Sequence, residues 1–206
     1  MKQWLPLRRL KIIGIMDKMR KKLIEAVVFF AKSVKNPTKM MIYKLLAELD
    51  FRHFEAKGYP VTNLEYEAWP LGPVPKELNA EITRNEDVEL PDDFRKALTC
   101  EKFEYEDSGG NTKHGFRFRA KRKPDLTVFT LREQRILSEV AEIYREATST
   151  EASKASHEPG RPWSKTSKGE TIDLPKAAKI PKPLTEEEAR EMIREIGAFH
   201  RTYDRK

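Results

Sequence analysis

The chain is 206 residues long, 38% hydrophobic and 35% charged, which suits one domain of ordinary size with a lean core, a heavily solvated surface and room for a tail. Its apolar runs fall short of the roughly 20 residues that cross a bilayer, so no membrane helix is expected. The formal charge of +7 permits an acidic or nucleic-acid partner, while a single cysteine, Cys100, excludes an internal disulfide and fits a reducing cytoplasm.

Residues 1–18 form a basic leader with Lys2, Arg8, Arg9 and Lys11. Ile12-Ile13-Gly14-Ile15 is too short for the core of a secretory signal, and Met16-Asp17-Lys18 follows where a small-residue cleavage site belongs. The leader therefore reads as a disordered arm, or as sequence upstream of a natural start at Met16. From Arg20 to Val34, Leu23, Ala26, Val27, Phe30 and Val34 recur at helical spacing, widened by Ile24, Val28 and Phe29. Asn36 as N-cap and Pro37 as first residue then open a second helix to about Ala56, with Met41, Ile42, Leu45, Leu46 and Leu49 inward and Gly58 ending it.

Tyr59 to Asn63 reads as a turn, and Leu64 to Trp69 as either helix or extended chain. Three prolines in Pro70 to Pro75 argue against regular structure there. Lys76 to Arg84 predicts a short helix, and Pro91 to Leu98 another turn or two. Period-two alternation in 103–106 and 116–121, around the turn residues Asp107 to Asn111, predicts a β-hairpin with Phe103, Tyr105, Phe116 and Phe118 on its buried face.

A capping box, Thr130-x-x-Glu133, opens a helix carrying Leu131, Leu137, Val140, Ile143, Tyr144 and Ala147. Ser149 to His157 predicts a short helix, and Arg161 to Glu170 an irregular stretch around Trp163. Lys176 to Pro183 reads as a linker before a second capping box, Thr185-x-x-Glu188, and an amphipathic helix with Ala189, Met192, Ile193, Ile196 and Phe199 on one face. That helix either packs on its own domain or docks on a partner. The expected architecture is α+β and mainly α: a compact helical domain over 19–175 with one small antiparallel hairpin, followed by a linker and C-terminal helix over 176–206.

Signs of catalysis are missing from the sequence. Gly109-Gly110 belongs to a hairpin turn, His53, His114, His157 and His200 are scattered, and no serine sits in a nucleophile-elbow sequence. Neither an enzyme, a metal site nor a cofactor is expected. Arg117, Arg119, Lys121 and Arg122, interleaved with Phe116 and Phe118, are the best nucleic-acid candidates. The competing reading pairs Arg117 and Arg119 across the hairpin with Glu104 and Glu106, and is favoured. Trp69 and Trp163, in proline-flanked segments, suit either a core plug or an interface anchor.

The run from Lys44 to Phe54, Lys-Leu-Leu-Ala-Glu-Leu-Asp-Phe-Arg-His-Phe, is similar to the signature of the Panacea (SocA-like) antitoxins. The resemblance continues through Gly58-Tyr59-Pro60-Val61-Thr62-Asn63, Tyr66 and Gly72-Pro73-Val74-Pro75, then Ser156-His157 and Pro162-Trp163. Asn63, Leu71 and Ala152 or Ala155 depart from the family's usual glycine, tyrosine and leucine. The resemblance implies a mainly helical, cytoplasmic antitoxin that neutralises the toxin of a neighbouring gene by direct binding, with room for self-association. The loop over 57–75 together with Trp163 is the expected toxin-binding region, with Tyr59, Tyr66, Trp69, Gly72, Pro73 and Trp163 as its expected contacts. The alternative is a nucleic-acid-binding regulator or a phage-associated accessory protein.

Overall fold

Burial of continuous apolar stripes sets the two long helices. The first, α1 (Leu7–Ser33), turns Leu23, Ala26, Val27 and Phe30 inward, with Val34 just past its end. The second, α2 (Lys39–Lys57), is buried on nearly every side and is the central element around which the rest packs. The computed structural model describes residues 7–84, 87–107 and 109–177; the expected helix over 185–199 and most of its linker lie outside them.

Both helices start elsewhere than their sequences predict. α1 begins at Leu7 rather than Arg20, since no proline lies between Leu7 and Arg20 and only Gly14 is a poor helix former there. α2 is capped by Thr38, whose hydroxyl accepts the Met41 N–H at 3.2 Å, rather than by Asn36. The competing demand is a backbone pairing: the Pro37 carbonyl accepts the Phe118 N–H at 2.9 Å, and Thr38 bridges Arg117. Those contacts keep Pro37 and Thr38 extended and delay the helix. At its far end Gly58, in the left-handed conformation, donates its N–H to the Phe54 carbonyl at 2.7 Å.

The sequence predicts one hairpin; the described residues contain three antiparallel pairs. These are β1 (Tyr66–Trp69) with β2 (Gly72–Pro75), β3 (Thr83–Arg84) with β4 (Asp87–Val88), and β5 (Leu98–Glu106) with β6 (Thr112–Ala120). Between them lie α3 (Lys76–Ile82) and α4 (Asp92–Arg95). The prolines of the first hairpin do not forbid a strand, because the register puts Pro73 opposite Ala68 and Pro75 opposite Tyr66. Counting from the Trp69–Gly72 pair that closes the turn, these are the positions whose backbone groups point away from the partner strand, so no ladder bond is lost. On the other edge of β1, the Ala68 N–H donates to Glu170 and the Ile172 N–H to the Tyr66 carbonyl, at 2.9 and 2.7 Å.

The β5–β6 register corrects the expected buried face. Phe103 lies opposite Gly115 and Cys100 opposite Phe118, so Phe116 and Phe118 share a face with Cys100, while Phe103 and Tyr105 share the opposite face with Arg117 and Arg119. The turn fixes this parity: the Asp107 carboxylate accepts the N–H groups of Gly109 and Asn111, both at 2.9 Å, and the strands leave it paired at Glu106–Thr112. A register offset of one residue reverses the side of every chain. Phe118 is buried, whereas Tyr105 is 48% exposed. The partner of Arg119 is accordingly Glu101, at 3.1 Å, not Glu104 or Glu106.

α5 (Leu131–Ile143) opens on the expected capping box, and its glutamate has a second task. Glu133 accepts the Thr130 N–H at 2.8 Å with one oxygen and the buried Lys22 ammonium of α1 at 2.5 Å with the other. Its inner face is Ile136, Leu137, Val140 and Ala141, joined by Tyr144; Leu131 and Ile143 are exposed. Each lies six residues from Leu137, about 240° around the helix. α6 (Ser149–Ser156) starts with a further capping box, Thr148 with Glu151. A 3-10 turn at Trp163–Lys165 and α7 (Leu174–Ala177) complete the described chain.

The fold is α+β and mainly α. One large core joins α1, α2, α5 and β6. A second, small core of Ala47, Phe51, Tyr66, Ala68 and Ile172, with Leu64, Trp163 and Leu174 against it, fastens the first hairpin and the 163–174 segment to α2.

Candidate functional site

The segment after α2 is organised by one buried carboxylate. Asp50, with no exposed surface, accepts the Val61 and Thr62 N–H groups and the Tyr66 hydroxyl at 2.8 Å each, and also the Thr62 hydroxyl. Four donors on one carboxylate fix residues 61–66 and hence the start of β1. Burial pushes the Asp50 carboxyl up to about 6 from 3.8, with its four hydrogen bonds pulling the other way. The folded chain therefore holds a proton that the unfolded chain has released between roughly pH 4 and 6, so this group's contribution to stability is present below that window and is lost as pH rises through it. In urea titrations across that range, Asp50→Asn is expected to remove a downward slope with rising pH; an unaltered slope would assign the titration to another group.

The tip of the β1–β2 hairpin is held from two distant elements. The Trp163 indole N–H donates to the Trp69 carbonyl at 2.8 Å, and the Ser153 hydroxyl of α6 donates to the Leu71 carbonyl at 2.8 Å. His157 stacks on Trp163 with ring centroids 3.6 Å apart, which steadies the indole in turn. Gly72 has φ +114°, where only glycine is comfortable, and a Cβ there would lie 2.8 Å from Ser156 Oγ and 3.3 Å from Lys44 Cε. Gly72→Ala is expected to destabilise the protein by about 1–3 kcal/mol, read as a lower urea midpoint; an unchanged midpoint would show that the hairpin lifts away freely.

A pinned backbone here presents side chains outward. Trp69 is 41% exposed, its indole N–H on Glu67 at 3.0 Å, and Leu71 is 62% exposed. Trp163 is half-buried, part core plug and part surface, which merges its two expected roles. Tyr66, Gly72 and Pro73, expected as contacts, are buried and instead build the support. Tyr59 is 46% exposed and stands edge-on to His53, whose Nδ1 is 2.8 Å from the Tyr59 carbonyl oxygen. A groove of about 800 Å³ runs between residues 60–65 and 165–175, with Phe54, Leu64, Ile172 and Leu174 in its lining.

Arg119, Lys121 and Arg122 are occupied within the fold, and Arg117 lies against an aromatic ring. Arg119 pairs with Glu101, Arg122 with the buried Glu25 at 2.6 Å, Lys121 donates to the Arg95 carbonyl at 2.6 Å, and the Arg117 guanidinium lies 4.7 Å from the Phe103 ring centre. Burial pushes the Cys100 thiol up to about 11, which suppresses its thiolate. Among the described residues, no group of three or more His, Cys, Asp or Glu is placed to hold a metal ion, and no helix is long and apolar enough to cross a membrane.

Sequence reasoning missed Leu71, Ser153, Asp50 and the Glu48–Arg161 pair that ties α2 to the loop after α6. The legible signal was the set Lys44, Glu48, Asp50 and His53, polar residues set among the apolar positions of α2. The segments around Lys44–Phe54, Gly72–Pro75 and Ser156–Trp163, far apart in the chain, meet at this hairpin. No curated protein and no solved structure matches the chain. The family model "Antitoxin SocA-like, Panacea domain" matches residues 42–164, which contain all three segments. With more than half its length matched, the chain belongs to the Panacea-domain family of SocA-like antitoxins.

Proposed function

We propose that the protein is the antitoxin of a type II toxin–antitoxin pair, acting in the cytoplasm and neutralising the toxin of an adjacent gene by binding it without chemistry. The observation that carries this reading is the hairpin tip. Trp69 and Leu71 stand in solvent on a turn whose backbone is hydrogen-bonded from both α6 and Trp163. Large apolar side chains on a preorganised turn lose little conformational freedom on docking, which is what an interface anchor needs. The groove lined by Phe54, Leu64, Ile172 and Leu174 offers a partner a second surface. Membership of an antitoxin family supports a protein partner.

The nucleic-acid reading is disfavoured by the ion pairs of Arg119 and Arg122, since a phosphate would have to displace Glu101 and Glu25. The test is co-expression with the adjacent gene. The reading expects that gene to arrest growth alone, to be harmless with this protein, and to form a complex that copurifies. An adjacent product that arrests growth equally in its presence would refute it.

A further inference from the structure

Lys44 projects from the middle of α2 into a crevice closed by β2 and α6, and it is 5% exposed. Among the described residues, no hydrogen-bond acceptor or carboxylate pairs with its ammonium group. The nearest carboxylate along the helix, Glu48 one turn on, is spoken for: one oxygen takes the Arg52 Nε–H at 2.6 Å and the other takes Arg161. Burial lowers the Lys44 pKa to about 8. An ammonium group held this deep without a counter-charge is costly, and the cost falls when an anion joins it.

The surroundings offer no internal remedy. His157 has its Nε2 buried and unpaired, and burial together with the Lys44 and Lys168 charges holds the imidazole below its usual pKa. Ser156 spends its hydroxyl proton on the Ser153 carbonyl at 2.8 Å. Arg161 lines the same crevice and uses one terminal nitrogen on Glu48. The charged lining is thus Lys44 and Arg161 against Glu48 alone.

We propose that this crevice is a carboxylate site, in which one oxygen of a small carboxylate enters to meet Lys44 Nζ while the rest of the group stays at the mouth, within the field of the Arg161 side chain that shares the lining. The free space is about 10 Å³, enough for one water-sized atom. That admits a single oxygen end-on and leaves no room for a whole phosphate group or a nucleotide. Gly72 closes the crevice from the hairpin side, its missing Cβ leaving the room that Ser156 and Lys44 occupy. The ligand is either a free short-chain acid or the side chain of an acidic residue on a partner protein. The site itself does not depend on which toxin, if any, is bound at the hairpin tip.

The experiment uses the full chain with lysine side chains labelled by 15N at Nζ, in a titration where sodium formate replaces sodium chloride at constant ionic strength. The Lys44 resonance is expected to shift saturably. In Arg161→Gln the apparent affinity is expected to fall about tenfold, and Lys44→Met is expected to lose the rise in thermal midpoint that formate gives the wild type. A parallel titration with N-acetylglutamate α-amide separates the sources: saturation by both probes assigns the site to an acidic side chain, and saturation by formate alone to a free acid. A Lys44 resonance equal in formate and chloride, or a formate-induced stabilisation kept by Lys44→Met, would overturn the proposal.

Discussion

Replacing Asp50 by alanine is expected to lower the thermal midpoint by roughly 8–16 °C, a loss of about 4 kcal/mol in a chain of this size. The substitution strips the acceptor from two backbone N–H groups and from the hydroxyls of Thr62 and Tyr66, all in the protein interior. Each donor left unsatisfied costs about 1–3 kcal/mol, reduced where a hydroxyl can turn to another partner. Asp50→Asn keeps the volume and one carbonyl acceptor, so a smaller fall is expected. Because residues 61–66 lead into β1, loss of the hub also frees the hairpin, and toxin neutralisation should fail alongside stability. A shift for Asp50→Ala within about 2 °C would show that the loop is held by packing alone.

The opposite signature is expected at the hairpin tip. Trp69→Ala combined with Leu71→Ser removes two solvent-facing side chains whose backbone anchors come from Ser153 and Trp163. Stability should stay within about 0.5 kcal/mol of the wild type, as for most surface changes. Rescue of cells from the adjacent toxin should nonetheless be lost, since an anchor of this kind contributes about 2 kcal/mol or more to a complex. Folded protein without rescue separates this surface from the supporting Asp50 network, where the two losses travel together. Undiminished rescue by the double variant would place the contact elsewhere.

The long helices were legible because their apolar spacing leaves no alternative: the stripe of Leu23, Val27 and Phe30 and the Thr130–Glu133 box needed only local rules. The β-structure was harder, since register depends on partners distant in sequence. Nothing within Phe103 to Glu106 tells which face of β6 it will share, and only the Asp107 turn decides it. Likewise Pro73 and Pro75 look like strand breakers until the Trp69–Gly72 closure shows that their missing donors would have pointed outward. In the site, the aromatic contacts divide by a property no local pattern carries: Trp69 ends at a turn and is exposed, while Tyr66, three residues earlier, reaches the buried Asp50. The polar set on α2 was visible as an anomaly, but its meaning required the loops that come to meet it.

The most direct measurement is the dissociation constant of the proposed complex with the product of the adjacent gene for wild type, Trp69→Ala and Tyr105→Ala. Tyr105 serves as the control because it is an equally exposed aromatic on a different hairpin. Binding should weaken about 30-fold or more for Trp69→Ala, the equivalent of about 2 kcal/mol, and stay at the wild-type value for Tyr105→Ala. Wild-type binding by Trp69→Ala, or a loss confined to Tyr105→Ala, would contradict the placement of the toxin on the pinned turn.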